Sequence, residues 1–243
     1  GRTLLGLEPV TSGEIFFKDQ ALHQLRRRKM NRLRQKIQVI FQDPLSSLNP
    51  RMSVMDIVTE GLVNFKRLED SKTADALRLV KEVGLSEDAI YRYPHEFSGG
   101  QRQRINIARA ISLRPEFIIC DEAVSALDVS IQAQVINLLI SLQDRHQLSY
   151  LFISHDLSVV SNIADRVAVM YLGQIFEKGK TADIIHDPLH PYTRMLIAAV
   201  PVPGEDRARK QAEIKGEAPS AANPPSGCRF HPRCPDAMPV CRE

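Results

Sequence analysis

Short apolar runs bounded by polar or turn-forming residues set the rhythm of this chain. Glu14 to Phe17, Ile37 to Phe41, Phe117 to Cys120 and Tyr150 to Ser154 are dense in Ile, Val, Leu and Phe, the length and composition of strands. Between them the period becomes helical. Gly1 to Leu7 has helical spacing ahead of a turn at Pro9 to Gly13, and Leu45 to Pro50 reads as a loop. From Val54 to Val83 the pattern predicts helices, with Leu77, Val80 and Val83 recurring every third position and Gly84 placed as a cap. Ile105, Ala108 and Ile111 mark the buried face of a helix after Ser98, with Arg102, Arg104 and Arg109 off that face; Val135, Leu138, Leu139 and Leu142 mark another after Ser130. Val167 to Tyr171 and Gln174 to Glu177 flank Leu172-Gly173, which predicts an antiparallel hairpin. Helical signals follow to Val200. The alternation of strand and helix predicts an α/β fold with a parallel sheet, interrupted by a small helical region.

Composition narrows the class only slightly. The 243 residues suffice for one large or two small domains, and a net charge of +3 is too small to indicate nucleic acid. The basic stretch from Arg26 to Lys36 lacks interleaved aromatics and reads as a solvated helical face. No apolar run approaches the ~18 residues needed to cross a bilayer, so the chain is expected to be soluble or peripheral. It begins without Met or a signal-peptide pattern, in what reads as the middle of a helix, and a truncated N-terminus is the expectation. Pro201 to Ser226 is rich in Pro, Ala and charge, the composition of a linker or extended strap. Of the four cysteines, Cys120 lies in an expected core strand, whereas Cys228, Cys234 and Cys241 crowd the last residues.

Chemistry concentrates between Ser98 and Asp128. Ser98-Gly99-Gly100-Gln101 offers a hydroxyl and a bare backbone where a helix should begin, a place that favours an anion. Phe117 to Cys120 should deliver Asp121 and Glu122 at the C-terminal end of a parallel strand, the edge at which open α/β sheets bind ligands. Asp121 is then a candidate for Mg²⁺, whose hardness favours carboxylate oxygen, and Glu122 for a general base. Gln42 and His155 follow strands that should reach the same edge. Taken singly, each of these residues has an ordinary structural explanation.

Together, in this order, they resemble the ATP-binding subunits of ABC transporters. Val39-Ile-Phe-Gln-Asp-Pro44 is similar to the Q-loop, Phe97-Ser-Gly-Gly-Gln-Arg-Gln-Arg104 to the signature, Phe117-Ile-Ile-Cys-Asp-Glu122 to the Walker B strand, Ser125-Ala-Leu-Asp128 to the D-loop and Ile153-Ser-His-Asp156 to the switch histidine. The resemblance implies a P-loop NTPase-like core with a helical signature subdomain and a small antiparallel β element. Residues 1–44 and 116–200 would form the core, 45–115 the helical subdomain and 201–243 a C-terminal strap. It further implies that Asp121 and Gln42 serve Mg²⁺, Glu122 is the catalytic base, His155 senses the γ-phosphate, and Ser98, Gly99, Gly100, Gln101 and Asp128 meet ATP across a dimer. Ser47-Leu-Asn-Pro-Arg51, Ser125-Ala-Leu-Asp-Val-Ser130, His190-Pro-Tyr-Thr193 and Gly227-Cys-Arg-Phe-His-Pro-Arg-Cys-Pro235 are similar to the oligopeptide, dipeptide, glutathione and nickel importers. In such importers a pair of ATPase subunits lies on the cytoplasmic face of the inner membrane beneath two permeases, fed by an extracytoplasmic binding protein, with no nucleic acid partner. Cys228, Cys234 and Cys241 resemble a tail cluster holding [4Fe–4S], although three thiolates fall one short of the usual four.

One element of the pattern is missing: G-x-x-x-x-G-K-[ST] occurs nowhere in the chain. Its backbone amides, Lys and hydroxyl cradle the phosphates and Mg²⁺, so this polypeptide alone is expected to bind ATP poorly and hydrolyse none. Ala123 stands where the family more often carries Pro. Two competing functions remain: a soluble ABC ATPase of translation or DNA repair, and a non-catalytic binding subunit. The 55 residues between Gln42 and Ser98 are too few for the long coiled coil of many repair ATPases, and His190-Pro-Tyr-Thr193 favours the importer.

Overall fold

A computed structural model describes residues 1–200 and 219–243, which fall into two compact units, Gly1–His155 and Asp156–Glu243. The expected strap falls largely on 201–218, outside the described residues. In the first unit, β1 (Phe16–Phe17) and β2 (Gln20–Ala21) form a small antiparallel pair, followed by α1 (Arg27–Leu33) and β3 (Ile37–Ile40). Next come α2 (Pro44–Ser47), α3 (Val54–Asn64), α4 (Lys72–Glu82) and α5 (Gly99–Ile111). The unit closes with β4 (Phe117–Asp121), α6 (Val129–His146) and β5 (Ser149–Ile153).

The apolar runs pair as expected. Strands β3, β4 and β5 lie parallel in that order, with Ile37 opposite Phe117 and Phe117 opposite Ser149. Ile118, Ile119 and Cys120 in the central strand are fully buried, as befits a strand covered on both faces. Burial pushes the Cys120 thiol up to about 12. A thiol so rarely ionised is a poor nucleophile. Cys120 is therefore expected to resist a thiol reagent at pH 8 until the chain is denatured, while the half-buried Cys228, Cys234 and Cys241 react in the native protein. Counting thiols released before and after denaturant checks this.

The helices follow their caps. Ser53, Ser71, Ser98 and Asp128 each accept a backbone N–H at the N-terminus of α3, α4, α5 and α6. Gly84, at φ +72°, lies just beyond α4 in the left-handed region expected of a terminating glycine. The buried face of α4 is Ala76, Leu79, Val80 and Val83; Leu77 is half-buried, because the face follows the i, i+3, i+4, i+7 rule rather than a strict three. On α5, Ile105, Ala108 and Ile111 are buried as predicted. The arginines off that face are anchored: Arg102 to the Pro94 carbonyl at 2.8 Å, Arg104 to that of Val83 at 2.7 Å, and Arg109 to that of Ser47 at 2.6 Å.

Three expectations change. Gly1 to Leu7 is a single turn: Leu7 N–H donates to the Arg2 carbonyl at 3.0 Å around Gly6, whose φ of +62° ends it. The strand expected from Glu14 shrinks to Phe16–Phe17. The loop from Leu45 opens with α2, capped by Asp43 with Pro44 at the first helical position. That Asp-Pro signal is readable in the sequence.

The second unit holds α7 (Leu157–Ile163), β6 (Arg166–Tyr171), β7 (Gln174–Lys180), α8 (Thr181–His186) and α9 (Pro191–Ala198). The predicted hairpin forms, with Leu172 at φ +45° and Gly173 at φ +81°, the pair of left-handed residues a tight two-residue turn demands. Tyr171, His190 and Tyr192 pack against Phe230, which is 1% exposed, with Phe176 stacked on His190, so the aromatic cluster holds the tail onto the hairpin. Among the described residues no helix is long and apolar enough to cross a membrane.

Candidate active site

Because β3, β4 and β5 run parallel, the residues that follow them emerge at one edge of the sheet. Gln42 follows β3, Asp121 and Glu122 end β4, and His155 follows β5. The structure brings three of these side chains together. Gln42 Nε2 donates to Glu122 Oε2 at 2.6 Å, and His155 Nδ1 lies 3.5 Å from Glu122 Oε1. Gln42 and His155 are exposed, and the Glu122 side chain keeps 30% of its surface in solvent, so the carboxylate is bracketed yet open to water.

Glu122 is also conformationally unusual. Its φ of +50° lies in the left-handed region, which costs a residue with a Cβ about 1–2 kcal/mol. Four sets of hydrogen bonds hold it there. Its N–H donates to the Ile153 carbonyl at 3.0 Å, and its carbonyl accepts from the N–H and hydroxyl of Ser125 at 3.1 and 3.0 Å. The next two carbonyls are taken by buried or half-buried amides, Gln103 Nε2 on Ala123 at 2.6 Å and Gln132 Nε2 on Val124 at 2.9 Å. Neither glutamine stands out in the sequence, since each reads as an ordinary helix residue.

Asp121 is half-buried beside Glu122. The backbone of Gly1 passes so close that a Cβ there would lie 2.7 Å from Asp121 Oδ2.

Ser98 to Gln101 forms a reciprocal cap at the start of α5: Gln101 N–H donates to Ser98 Oγ at 3.3 Å, and Ser98 N–H donates to Gln101 Oε1 at 3.0 Å. Ser98, Gly99 and Gln101 are exposed, whereas Gly100 is buried against Ile131, where a Cβ would fall well inside van der Waals contact. That glycine lets α5 and α6 meet. Among the described residues no hydrogen bond or ion pair joins Ser98–Gln101 to Gln42, Glu122 or His155. Asp128 caps α6, and its carboxyl sits below the usual range because the Ser130 hydroxyl and the Ile131 N–H donate to it. Asp43 is held low chiefly by the Leu45 N–H.

In the tail, Cys228 N–H donates to the Cys241 carbonyl at 2.9 Å. Burial raises the Cys234 thiol. Among the described residues no group of three or more His, Cys, Asp or Glu side chains is arranged to hold a metal ion, so the [4Fe–4S] centre that the resemblance suggests for Cys228, Cys234 and Cys241 is not supported.

An exposed carboxylate steadied by an amide and an imidazole, beside a second carboxylate, is suited to orienting a water against an anionic substrate. Comparison with known proteins supplies the family. Residues 2–125 match the ABC transporter family, just over half the chain. The chain belongs to the ABC transporter family. In this ABC protein, residues 176–241 also match the oligopeptide/dipeptide transporter C-terminal region. The oligopeptide transport ATP-binding protein AppF of Bacillus subtilis is 51% identical over 247 residues, covering 100% of this chain and 75% of AppF. A probable peptide ABC transporter ATP-binding protein of Sinorhizobium fredii, y4tS, is 50% identical over 242 residues, covering 99% of this chain and 69% of that protein. Among solved structures, cbiO1 of Clostridium perfringens, part of the ABC transporter complex cbiONQ, superposes with a TM-score of 0.68 at 27% identity, over 76% of this chain and 73% of that one. The fold is therefore that of an ABC ATPase.

Proposed function

We propose that this chain is the ATP-binding and ATP-hydrolysing subunit that energises an ABC importer of peptides. The observation that carries the reading is the Glu122 carboxylate bracketed by Gln42 and His155 at the C-terminal edge of a parallel sheet. The C-terminal match and the names of its relatives support a peptide cargo.

In this reading Glu122 takes a proton from the attacking water, Gln42 holds its carboxylate on one side, and His155 meets the γ-phosphate from the other. Asp121 and Gln42 present hard oxygen donors of the kind magnesium accepts. Few protein ligands are required, since Mg²⁺ in such sites is held by one or two carboxylates and the substrate phosphates. Bound with the nucleotide, the ion neutralises the phosphates' charge. Ser98 to Gln101, disconnected from Glu122, caps ATP held by a second subunit, with Asp128 at the same junction. Dimerisation is therefore part of the mechanism. Two permeases and, through them, an extracytoplasmic binding protein complete the assembly, with this chain peripheral on the cytoplasmic face. The 243 residues contain no Walker A loop, so hydrolysis at Glu122 is proposed for a full-length, dimerised subunit that carries one ahead of Asp121 and Glu122. An iron–sulfur centre finds no support in the described residues and has no part in the proposal.

Reconstitution of the full-length, Walker A-bearing subunit with the permeases in proteoliposomes tests the reading. The expected result is ATP-dependent accumulation of a labelled peptide, exceeding that of glutathione or Ni²⁺. ATP turnover that ignores the permeases would instead indicate a soluble ABC ATPase.

A further inference from the structure

Helix α5 carries a row of polar side chains that its core-facing position does not call for. Gln103 and Asn106 are both 0% exposed, and the half-buried Arg109 lies one turn on, at the border of the buried face. Among the described residues, two atoms of the row, Gln103 Oε1 and Asn106 Nδ2, are buried without a hydrogen-bond partner. A buried polar atom left unpaired is a standing cost, which an apolar residue of similar shape would avoid. What these side chains contribute therefore lies in the bonds they do make.

Those bonds go to the two loops that carry the active-site pair. At one end Gln103 Nε2 holds the Ala123 carbonyl, immediately after the strained Glu122. At the other, Arg109 Nη1 holds the Ser47 carbonyl and Asn106 Oδ1 accepts from the Ser47 hydroxyl at 3.0 Å, in the short helix that follows Gln42. A strained backbone persists only where its surroundings over-determine it. The geometry points to α5 as the jig that sets Gln42 against Glu122, with Gln103 the positioning residue that keeps Glu122 in its left-handed conformation. Gln132, holding Val124 from α6, assists.

This rests on the reading of Glu122 as the base, but its test does not require hydrolysis. Gln103→Met keeps the length of the side chain and removes the donor. In the full 243-residue chain, amide hydrogen exchange by NMR is expected to accelerate about tenfold or more at Glu122 and Ser125, relative to Ile118 and Ile119 in the same strand region. The side-chain amide resonances of Gln42 should shift as the carboxylate they face moves. Gln132→Ala, on a half-buried side chain, should produce a smaller change in the same signals and serves if Gln103→Met does not fold. Unchanged Glu122 and Ser125 exchange, or acceleration by one common factor throughout the chain with Gln42 unmoved, would overturn the proposal. Loss of hydrolysis on changing Glu122 bears on the base assignment alone, so the two can fail separately.

Discussion

In a full-length, Walker A-bearing subunit, Glu122→Gln is expected to lower ATP turnover in the assembled transporter by about 10²–10⁴-fold, the usual contribution of a positioned general base. The substitution keeps the volume of the side chain and an oxygen for Gln42 Nε2 to meet, so the loop should hold its shape. What it removes is the negative charge and the capacity to accept a proton from water. Binding of nucleotide depends on other groups, and ATP should therefore remain trapped between two subunits that no longer separate. Turnover measured alongside the dimer fraction on a sizing column checks both halves. Near-normal turnover would remove Glu122 from the role of base, whatever the dimer does.

Gly100→Ala is expected to destabilise the fold by about 1–3 kcal/mol, the range for forcing an extra methyl group into a packed contact. The new Cβ meets Ile131 Cγ2 where α5 and α6 approach. In a protein of this size each kcal/mol lowers the melting temperature by roughly 2–4 °C. Ile131→Ala should restore much of the loss in the double variant, because it removes the atom that is struck. This separates two explanations for one glycine. A loss rescued by Ile131→Ala belongs to helix packing, whereas unaltered stability with failed nucleotide capping would mean that the bare backbone is there for the phosphate.

Much of the architecture could be read from apolar patterning, since Ile37 to Ile40, Phe117 to Cys120 and Tyr150 to Ile153 have the density of buried strands, and parallel strands necessarily open onto one edge. That logic brings Gln42, Glu122 and His155 to one edge from the sequence alone. Local chemistry also announced the cap at Ser98 and the hairpin turn at Leu172-Gly173. Long-range geometry left no such trace. The left-handed backbone of Glu122 depends on bonds from Ile153, Gln103 and Gln132, residues distant in sequence and unremarkable in type. Gly100 looked like exposed backbone because nothing in the sequence reports that Ile131 lies against it. The turn at Gly1 to Leu7 misled for a simpler reason: helical spacing says nothing about where a chain stops coiling, and Gly6 stops it at once.

The register of the sheet has a consequence for how the chain is made. Ile37 finds its partner only at Phe117, after α2 to α5 have intervened, and closing so large a loop is slow compared with forming the local helical contacts of α3 and α4. On the ribosome, β3 therefore waits as an apolar strand with both edges unpaired. Ahead of it stand Arg26, Arg27, Arg28, Lys29, Arg32, Arg34 and Lys36 without an acidic residue among them. Cations flanking an apolar segment oppose its association with other strands, so the stretch whose Arg34 holds the Leu5 carbonyl and whose Lys36 pairs with Glu116 in the folded protein also has the charge that disfavours mispairing of β3 before β4 arrives.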